Sequence, residues 1–587
     1  MKLVIAAVLL AVLAIPAAAQ EAKRLSESET LRLLLEEEWE LRLRENPGFA
    51  TYIGDRRYDD RWTDLSEAAI ERRRESQRGF LKRLRAIDAS KLSADERLNH
   101  QLMLRDLETE VAGYAFPSEL IPIHQMGGVH QVLPELGLLA PPRTVADYRN
   151  FIARLRAYPA LVEQTIALMR RGMARGVMPP RVPLRGVAAA IEAQIGRNAE
   201  ETPVWDIVFA EMPESIPDAE MAKLRAEARE AIDSLVLPAL RKLAAFWNDE
   251  YYPKTRASIA LSELPSGADW YAHNVREQTT TELSPEEIHE IGLSEVKRIR
   301  AGMEAIRKEV GFEGDLEAFF TYMRQDPQFF FTTKEDLIVA YRDIAKRIDP
   351  ELPRLFGTLP RMPYGVIAVP EYSEQTQTTA YYMPGSPAAG RAGYFYANTY
   401  DLPSRPKWEM EALTVHEAVP GHHLQISLAQ ELEVPPFRQW GGYTAYVEGW
   451  GLYSESLGPE LGLYADPYSR FGQLTYEMWR AVRLVVDTGM HAKGWTREQA
   501  IEYFRKNAGK AEHDIAVEID RYIVWPGQAL AYKIGQLKIL ELRALAEREL
   551  GETFDIRRFH DTVLLAGPLP LSILETRVRE WIETERQ

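Results

Sequence analysis

Three histidines and one glutamate lie within eight residues of one another, in the segment that runs from His416 to His423. Glu417 follows the first histidine directly, and His422 and His423 come after a Pro-Gly pair. A His-Glu pair with another histidine within two helical turns can offer imidazole ligands to zinc and a general base to water. The segment therefore predicts a zinc site with Glu417 as its base.

The spacing of the histidines departs from the H-E-x-x-H pattern, in which the two ligands lie four residues apart on one helix face. Here the fourth residue after His416 is Pro420, which has no ligand atom. On a straight helix His422 would project roughly 240° away from His416. Because proline removes an amide donor and clashes with the carbonyl four residues back, we expect the helix to open here. A π-type bulge of two residues would bring His422 to the ligand position, and His423 remains the alternative.

A catalytic zinc has three protein ligands, and Glu448 is the natural third one. It lies in a stretch rich in Tyr, Trp, Val and Leu, whereas a lone glutamate on a helix is usually solvated. Glu455 follows seven residues later and therefore shares a helix face with Glu448. We expect Glu448 to bind the metal and Glu455 to orient a ligand histidine.

The N-terminus, residues 1–19, has the three parts of a secretory signal: Lys2, an apolar run from Leu3 to Ile15, and small residues before Gln20. The apolar run is too short to span a bilayer, and no later run of about 18 apolar residues could do so. We expect an exported protein, periplasmic or secreted, with no membrane anchor once the signal is removed. The sequence has no cysteine, which excludes disulfides, thiolate ligands and lipid attachment at a cysteine.

The remaining chain, residues 20–587, is predicted to be a single, mainly α, two-lobed domain, because no linker, low-complexity tract or repeat divides it. A net charge of −16 argues against nucleic acid as a partner. Apolar residues recur at three- and four-residue spacing in most of the chain, which predicts helices. The clearest of these are residues 29–44, 68–87, 94–111, 145–173 and 221–247. Three further helix starts, at Ser284, Thr333 and Thr496, carry capping residues.

A small β-sheet is predicted just before the histidine segment, where Tyr, Thr, Pro and Gly dominate. Its three runs are residues 364–370, 378–382 and 393–399. An edge strand beside a metal can bind an extended peptide through its main chain, and on this interpretation Asn398 holds the substrate backbone. The alternative is that the strands only fill a gap between helices.

The sequence resembles a known family at these motifs. His-Glu-x-x-x-Gly-His-His-Leu-Gln from His416, with Glu-Gly-Trp-x-Leu-Tyr-x-Glu from Glu448, is similar to the bacterial domain of unknown function 885. That family is grouped with the gluzincin metallopeptidases. Further stretches that begin at Gln125, Thr279 and Arg483 fit it as well, and the resemblance covers essentially the whole mature chain. It implies a helical metallopeptidase-like body with Zn²⁺ as cofactor.

A more distant resemblance extends to angiotensin-converting enzyme and thimet oligopeptidase-like peptidases, which hold zinc in a deep cleft between two lobes. It implies that His422 and Glu448 are ligands. In the converting-enzyme group a tyrosine hydroxyl stabilises the developing oxyanion, and the stretch at Arg521 and Tyr522 is similar to that element. The resemblance thus makes Tyr522 the candidate electrophile, while Arg521 and His513 are candidates for holding the substrate.

Taken together, the residues predict an exported zinc-dependent peptidase that hydrolyses short peptides, with Glu417 as general base. Two alternatives remain: an inactive relative that binds peptides or a partner, and a zinc hydrolase of a non-peptide amide or ester. The intact Glu417 argues against the inactive relative. The sequence leaves open amino-terminal, carboxyl-terminal or internal cleavage and does not define an oligomeric state.

Overall fold

A computed structural model of the chain describes residues 25–371, 374, 378–386 and 390–587. The predicted signal, residues 1–19, lies outside these residues. Helices make up most of the described chain, as predicted. The α-helices are α1 Glu27–Glu45, α2 Pro47–Ile53, α3 Glu67–Arg85, α4 Ala94–Gly113, α5 Val132–Leu139, α6 Val145–Arg175, α7 Val187–Glu192, α8 Pro203–Trp205, α9 Asp218–Ala231, α10 Leu237–Phe246, α11 Gly267–Thr279, α12 Pro285–Glu309, α13 Leu316–Gln325, α14 Lys334–Ile348, α15 Leu352–Leu355, α16 Met410–Glu417, α17 His422–Glu431, α18 Pro436–Gln439, α19 Thr444–Glu455, α20 Pro467–Ala492, α21 Arg497–Asn507, α22 Glu512–Val524, α23 Ala531–Leu550, α24 Ile556–Leu564 and α25 Leu571–Glu585.

Local sequence signals account for many helix boundaries. The Ser284 hydroxyl accepts the backbone N–H of Glu287, whose carboxylate accepts the N–H of Ser284, and this capping box begins α12. Thr496 begins α21 with the same capping box, and at the start of α14 the Thr333 hydroxyl accepts the backbone N–H of Asp336. The predicted helix starts are therefore confirmed. The predicted helix over residues 221–247 is present too, with a π-helical turn between α9 and α10.

The predicted sheet is present and has three strands: β1 Tyr364–Ala368, β2 Ala380–Met383 and β3 Gly393–Ala397. β3 lies in the centre, parallel to β1 and antiparallel to β2. β2 is therefore an edge strand, and it contacts α16, the helix that carries His416.

Buried apolar side chains form two large clusters. The second consists of residues between Ile123 and Tyr251, and the first consists mainly of residues before and after that stretch. The predicted division into two lobes around a central cleft stays a prediction. Within the described residues, no helix combines the length and apolar character needed to cross a membrane.

Two helices of the first cluster, α19 and α23, approach each other closely. A Cβ atom on Gly535 would lie 1.8 Å from the carbonyl oxygen of Ala445, and one on Gly449 would lie 2.5 Å from the Gly535 Cα. Only glycine permits this backbone contact. The contact fixes the register of α23 against the helix that carries Glu448.

Candidate metal centre

The histidine segment folds as two helices joined by a tight turn. α16 ends at Glu417, the Val419–Pro420 peptide bond is cis, and α17 begins at His422. The predicted π-type bulge in a continuous helix is therefore wrong, because the helix stops and restarts. A Cβ on Gly421 would lie 2.0 Å from the carbonyl oxygen of His416, so the turn folds back so tightly that it requires glycine.

The turn brings His422 beside His416, and α19 adds Glu448. The imidazole rings of the two histidines are 4.7 Å apart between centroids. A Glu448 carboxylate oxygen lies 3.4 Å from Nε2 of His422 and 3.7 Å from Nε2 of His416. One ligand atom from each of these three residues lies within 4.8 Å of the other two. Ligand atoms on a tetrahedral zinc are about 3.3 Å apart, given bonds of about 2.0–2.1 Å. The donor set therefore fits a single zinc ion.

Supporting contacts hold this candidate site in place. The Nδ1 atom of His416 lies 2.8 Å from a carboxylate oxygen of the buried Glu455, as predicted, which leaves Nε2 as the ligand atom. A Cβ on Gly451 would lie 2.8 Å from Cε1 of His416, so the imidazole packs directly against α19. The indole N–H of Trp450 donates to the carbonyl oxygen of Pro420 and ties the turn to the same helix.

The electrostatics of the cluster favour a positive charge. Burial lowers the pKa of His416, but the neighbouring carboxylates of Glu448 and Glu455 outweigh it and raise this pKa to about 9. Burial raises the pKa of Glu448, but the two imidazoles dominate and hold it well below its ordinary range. The cluster thus combines a carboxylate that stays ionised with two imidazoles, as cation binding requires.

Glu417 is the last residue of α16 and is 9% exposed. Its carboxylate accepts no hydrogen bond and forms no ion pair with any residue in the described part of the chain. It directly follows His416, and the charge of its carboxylate helps to raise the pKa of that imidazole. The side chain is thus free to exchange a proton with a water molecule or a substrate.

His423 lies outside the cluster. Its Nδ1 atom is 2.8 Å from the Tyr382 hydroxyl of β2, and its ring packs on Tyr364 of β1 at 4.5 Å between centroids. Burial lowers the pKa of His423 to about 4, so the ring is neutral at pH 7. The sequence left open whether His422 or His423 is the second candidate ligand. The structure brings His422 to the cluster, whereas His423 contacts the sheet through Tyr382 and Tyr364.

Tyr522, the predicted electrophile, is buried in a network of its own. Its hydroxyl donates to Glu518 at 2.6 Å and accepts from Arg483 at 2.7 Å and Trp479 at 3.0 Å. Arg521 pairs with Glu518 at 3.0 Å and donates to Gln528 at 2.8 Å. These contacts occupy the polar atoms that the sequence assigned to the oxyanion and the substrate, so the structure gives those assignments no support.

Asn398 and His513 are likewise not gathered at the cluster. The Asn398 amide is buried and donates to the carbonyl oxygens of Glu374 and Thr378, so it links the segments that flank β2 and β3. Substrate contact by Asn398 therefore has no support here. His513 is exposed near the start of α22, and its substrate-binding role stays a prediction.

Tyr532 is the tyrosine that the sequence reasoning missed. It lies three residues before Gly535 on α23, beside Glu448 on α19, and it is partly exposed. Burial raises the pKa of Tyr532, and the negative charge of Glu448 raises it further. Its ring packs on the guanidinium of Arg483 at 4.3 Å. No motif marks Tyr532, because its position depends on the crossing of α19 and α23.

Comparison with known proteins agrees with this architecture. Residues 47–578 match the model of the family described as "Bacterial protein of unknown function (DUF885)", and the chain belongs to that family. No curated protein matches the chain.

Two solved structures share the fold. One is "the putative lipoprotein from Colwellia psychrerythraea", at 28% identity and a TM-score of 0.91, covering 95% of this chain and 100% of that one. The other is "a putative lipoprotein of unknown function from Shewanella oneidensis", at 16% identity and a TM-score of 0.70, covering 94% and 99%. A structure titled "putative oligoendopeptidase F from Bacillus anthracis str. Ames" reaches a TM-score of only 0.27, at 10% identity over 87% of this chain and 96% of that one. This score is too low to indicate a shared fold.

Proposed function

We propose that this protein is a zinc-dependent peptidase that hydrolyses short peptides. The observation that carries the proposal is the convergence of one ligand atom each from His416, His422 and Glu448 within 4.8 Å, next to a glutamate without a partner among the described residues. Zinc, when bound, polarises a carbonyl and lowers the pKa of water. Three protein ligands leave a fourth position open, which distinguishes a catalytic site from a structural one.

The chain's own residues supply the remaining steps. Glu417 takes a proton from the attacking water and passes it to the leaving amine, so that one carboxylate acts first as base and then as acid. Glu455 keeps the His416 imidazole in one orientation. The Tyr532 hydroxyl donates a hydrogen bond to the oxygen on which negative charge develops. We assign this role to Tyr532 and not to Tyr522, because three side chains engage the Tyr522 hydroxyl, whereas the Tyr532 hydroxyl interacts with the Gln528 side chain and lies near Glu448.

The edge strand β2 is the element best placed to align a peptide. It contacts α16, and Tyr382 on it reaches His423, the residue that follows the ligand His422. A peptide added to this edge would be held through main-chain hydrogen bonds, whatever its sequence.

Metal analysis together with a peptide digest tests the proposal. The wild type is expected to bind one zinc per chain and to cleave a mixture of short peptides. Glu417→Gln should keep the zinc and lose about 10²–10⁴-fold in rate. Glu75→Gln, the same substitution at an exposed position on α3, is the matched control. Zinc-free protein that still binds peptides would indicate an inactive relative, and ester turnover without peptide cleavage would indicate a different hydrolase.

We further infer that the chain is exported, from the signal-like residues 1–19. The two structural neighbours described as lipoproteins agree with export, although this chain has no cysteine that could carry a lipid. N-terminal sequencing of protein recovered from the periplasm should begin near Gln20. A start at Met1 in the cytoplasmic fraction would contradict the inference.

A further inference from the structure

Tyr532, to which we assign the oxyanion contact, has a guanidinium packed against its ring. The central carbon of the Arg483 guanidinium lies 4.3 Å from the centroid of that ring. Arg483 belongs to α20, whereas Tyr532 is the second residue of α23, so the contact joins two helices. A guanidinium is planar and can stack on an aromatic face, which restricts how the ring can tilt. Arg483 is therefore in a position to orient Tyr532.

Arg483 is itself held on several sides. It is 4% exposed, its Nε–H donates to the Tyr522 hydroxyl at 2.7 Å, and its Nη2 donates to Glu518 at 3.1 Å. The Trp479 ring packs on the same guanidinium at 5.0 Å. These contacts fix the plane of the guanidinium, and a side chain that is locked in this way can hold a neighbour in place.

The remaining nitrogen of Arg483, Nη1, is buried and has no hydrogen-bond partner in the described part of the chain. A buried N–H without an acceptor needs an explanation, and the face of an aromatic ring can take the place of an oxygen. Three rings lie 4.3–5.5 Å from the guanidinium carbon, those of Trp479, Tyr522 and Tyr532. The aromatic surroundings thus account for the missing partner, and they include the ring of Tyr532.

The charges around Tyr532 act in opposite directions. Burial and the negative charge of Glu448 raise the pKa of Tyr532, and the positive charges of Arg483 and Arg521 oppose this shift. Both guanidiniums pair with one carboxylate, that of Glu518, at 3.1 and 3.0 Å, and neither pairs with another carboxylate within 4.0 Å in the described ranges. A positive charge beside a hydroxyl strengthens that hydroxyl as a hydrogen-bond donor. Arg483 thus acts on Tyr532 through both its plane and its charge.

We propose that Arg483 is a positioning residue for Tyr532, whose ring it stacks against so that the hydroxyl is directed to the developing oxyanion. The inference rests on the proposed peptidase function, because Tyr532 acts in that reaction. It has two consequences that mere support of the fold would not have. The effect of replacing Arg483 on kcat must depend on the Tyr532 hydroxyl. Lysine, which keeps the charge but has no plane to stack, should restore only part of the rate.

A double-mutant cycle measures this dependence. The values of kcat and KM for a short peptide are determined for Arg483→Gln and Arg483→Lys, each in the wild type and in Tyr532→Phe. In the wild type, Arg483→Gln should lower kcat by about 10–100-fold and change KM by less than about threefold, with Arg483→Lys in between. In Tyr532→Phe, either substitution should lower kcat by less than about threefold further. Equal losses of kcat in the two backgrounds would overturn the inference.

Arg78→Gln is the matched control. Arg78 is an exposed arginine on α3 that also lies over a tyrosine, at 5.6 Å from the centroid of the Tyr114 ring. This substitution should leave kcat and KM unchanged in both backgrounds. Arg483→Lys keeps a positive charge beside Glu518, so it provides a folded variant for the cycle even if Arg483→Gln does not fold.

A measurement on Tyr532 alone separates this inference from the proposed function. 3-Fluorotyrosine is placed at position 532, and its fluorine NMR signal is recorded without any peptide. In Arg483→Lys and Arg483→Gln the signal should move towards its value in the unfolded chain, because the ring is no longer held. An unchanged signal in both variants would refute the positioning role, even if the wild type cleaves peptides. A shifted signal in a protein that cleaves no peptide would support the contact and refute the peptidase proposal.

Discussion

A carboxylate oxygen of Glu455 lies 2.8 Å from Nδ1 of His416, and both side chains are buried. The pair fixes which imidazole nitrogen faces Glu448. Glu455→Gln should therefore weaken zinc binding by about 10–100-fold, because an amide can present its N–H₂ to Nδ1 and destabilise the required tautomer. Competition with a fluorescent zinc chelator would measure the change. An unaltered zinc affinity would show that the carboxylate does not orient the ligand.

The two adjacent histidines should behave differently when each is truncated. His422→Ala removes a ligand and should lower zinc affinity by more than about 100-fold. His423→Ala removes the contact with Tyr382 and should chiefly lower the melting temperature of the protein, with a smaller change in zinc affinity. Zinc titration and thermal unfolding of both variants would show which histidine binds the metal. A larger loss of zinc affinity in His423→Ala than in His422→Ala would make His423 the ligand.

Gly451→Ala tests how tightly the ligand His416 packs on α19. The added Cβ would lie 2.8 Å from Cε1 and 3.0 Å from Nε2 of the imidazole, so the ring must move. We expect a loss of about 1–3 kcal/mol in the free energy of unfolding together with weaker zinc binding. Gly79→Ala on α3 is the control, since no heavy atom lies within 4 Å of its new Cβ, and it should stabilise the helix by about 0.5–1 kcal/mol. Equal zinc affinity in Gly451→Ala and wild type would contradict the packing argument.

The sequence was sufficient to predict what depends on local pattern. Helix caps such as Ser284, the three strands and the candidate ligands His416, His422 and Glu448, which the structure brings together, were all indicated by residue type and spacing. The break at Pro420 was not predicted correctly, because the path of that turn is decided by contacts from another helix, including the indole N–H of Trp450.

Tyr522 and Tyr532 also show that local sequence pattern does not predict contacts between distant parts of the chain. Tyr522 was chosen for its motif, but its partner Arg483 comes from 39 residues earlier in the chain and engages its hydroxyl. Tyr532 comes 84 residues after Glu448, and the two lie on α23 and α19, which approach each other closely at Gly449 and Gly535. Pairings at such separations leave no periodic trace in the sequence.

The two tyrosines should respond differently to removal of their hydroxyl groups. Tyr532→Phe should lower kcat by about 10²–10³-fold with little effect on stability, since it removes a donor to the developing oxyanion. Tyr522→Phe leaves Arg483, Trp479 and Glu518 with fewer buried partners and should cost about 1–3 kcal/mol of unfolding free energy. Steady-state kinetics and chemical denaturation of both variants separate the roles. Full activity in Tyr532→Phe with an inactive, stable Tyr522→Phe would restore Tyr522 as the electrophile.

Asp487 should make the stability of the protein depend on pH. It accepts hydrogen bonds from the Tyr271 hydroxyl at 2.6 Å and from the Gly527 N–H at 3.1 Å. Burial raises the pKa of Asp487 from 3.8 to about 7. At a pH between these two values, the folded state therefore keeps a proton that the unfolded state has released. The stabilisation is complete below about pH 4 and is lost as the pH rises through about 7.

Asp487→Asn removes this titration and should therefore gain stability relative to wild type as the pH rises from about 4 to about 7. Between pH 4 and pH 7, the difference in unfolding free energy between the variant and the wild type should change by an amount on the order of a few kcal/mol. The reason is that a tenfold change in a proton-binding constant corresponds to about 1.4 kcal/mol. Urea denaturation of both proteins at pH 4, 5.5 and 7 would measure this change. A stability difference that stays constant across the three pH values would show that Asp487 does not titrate in this range.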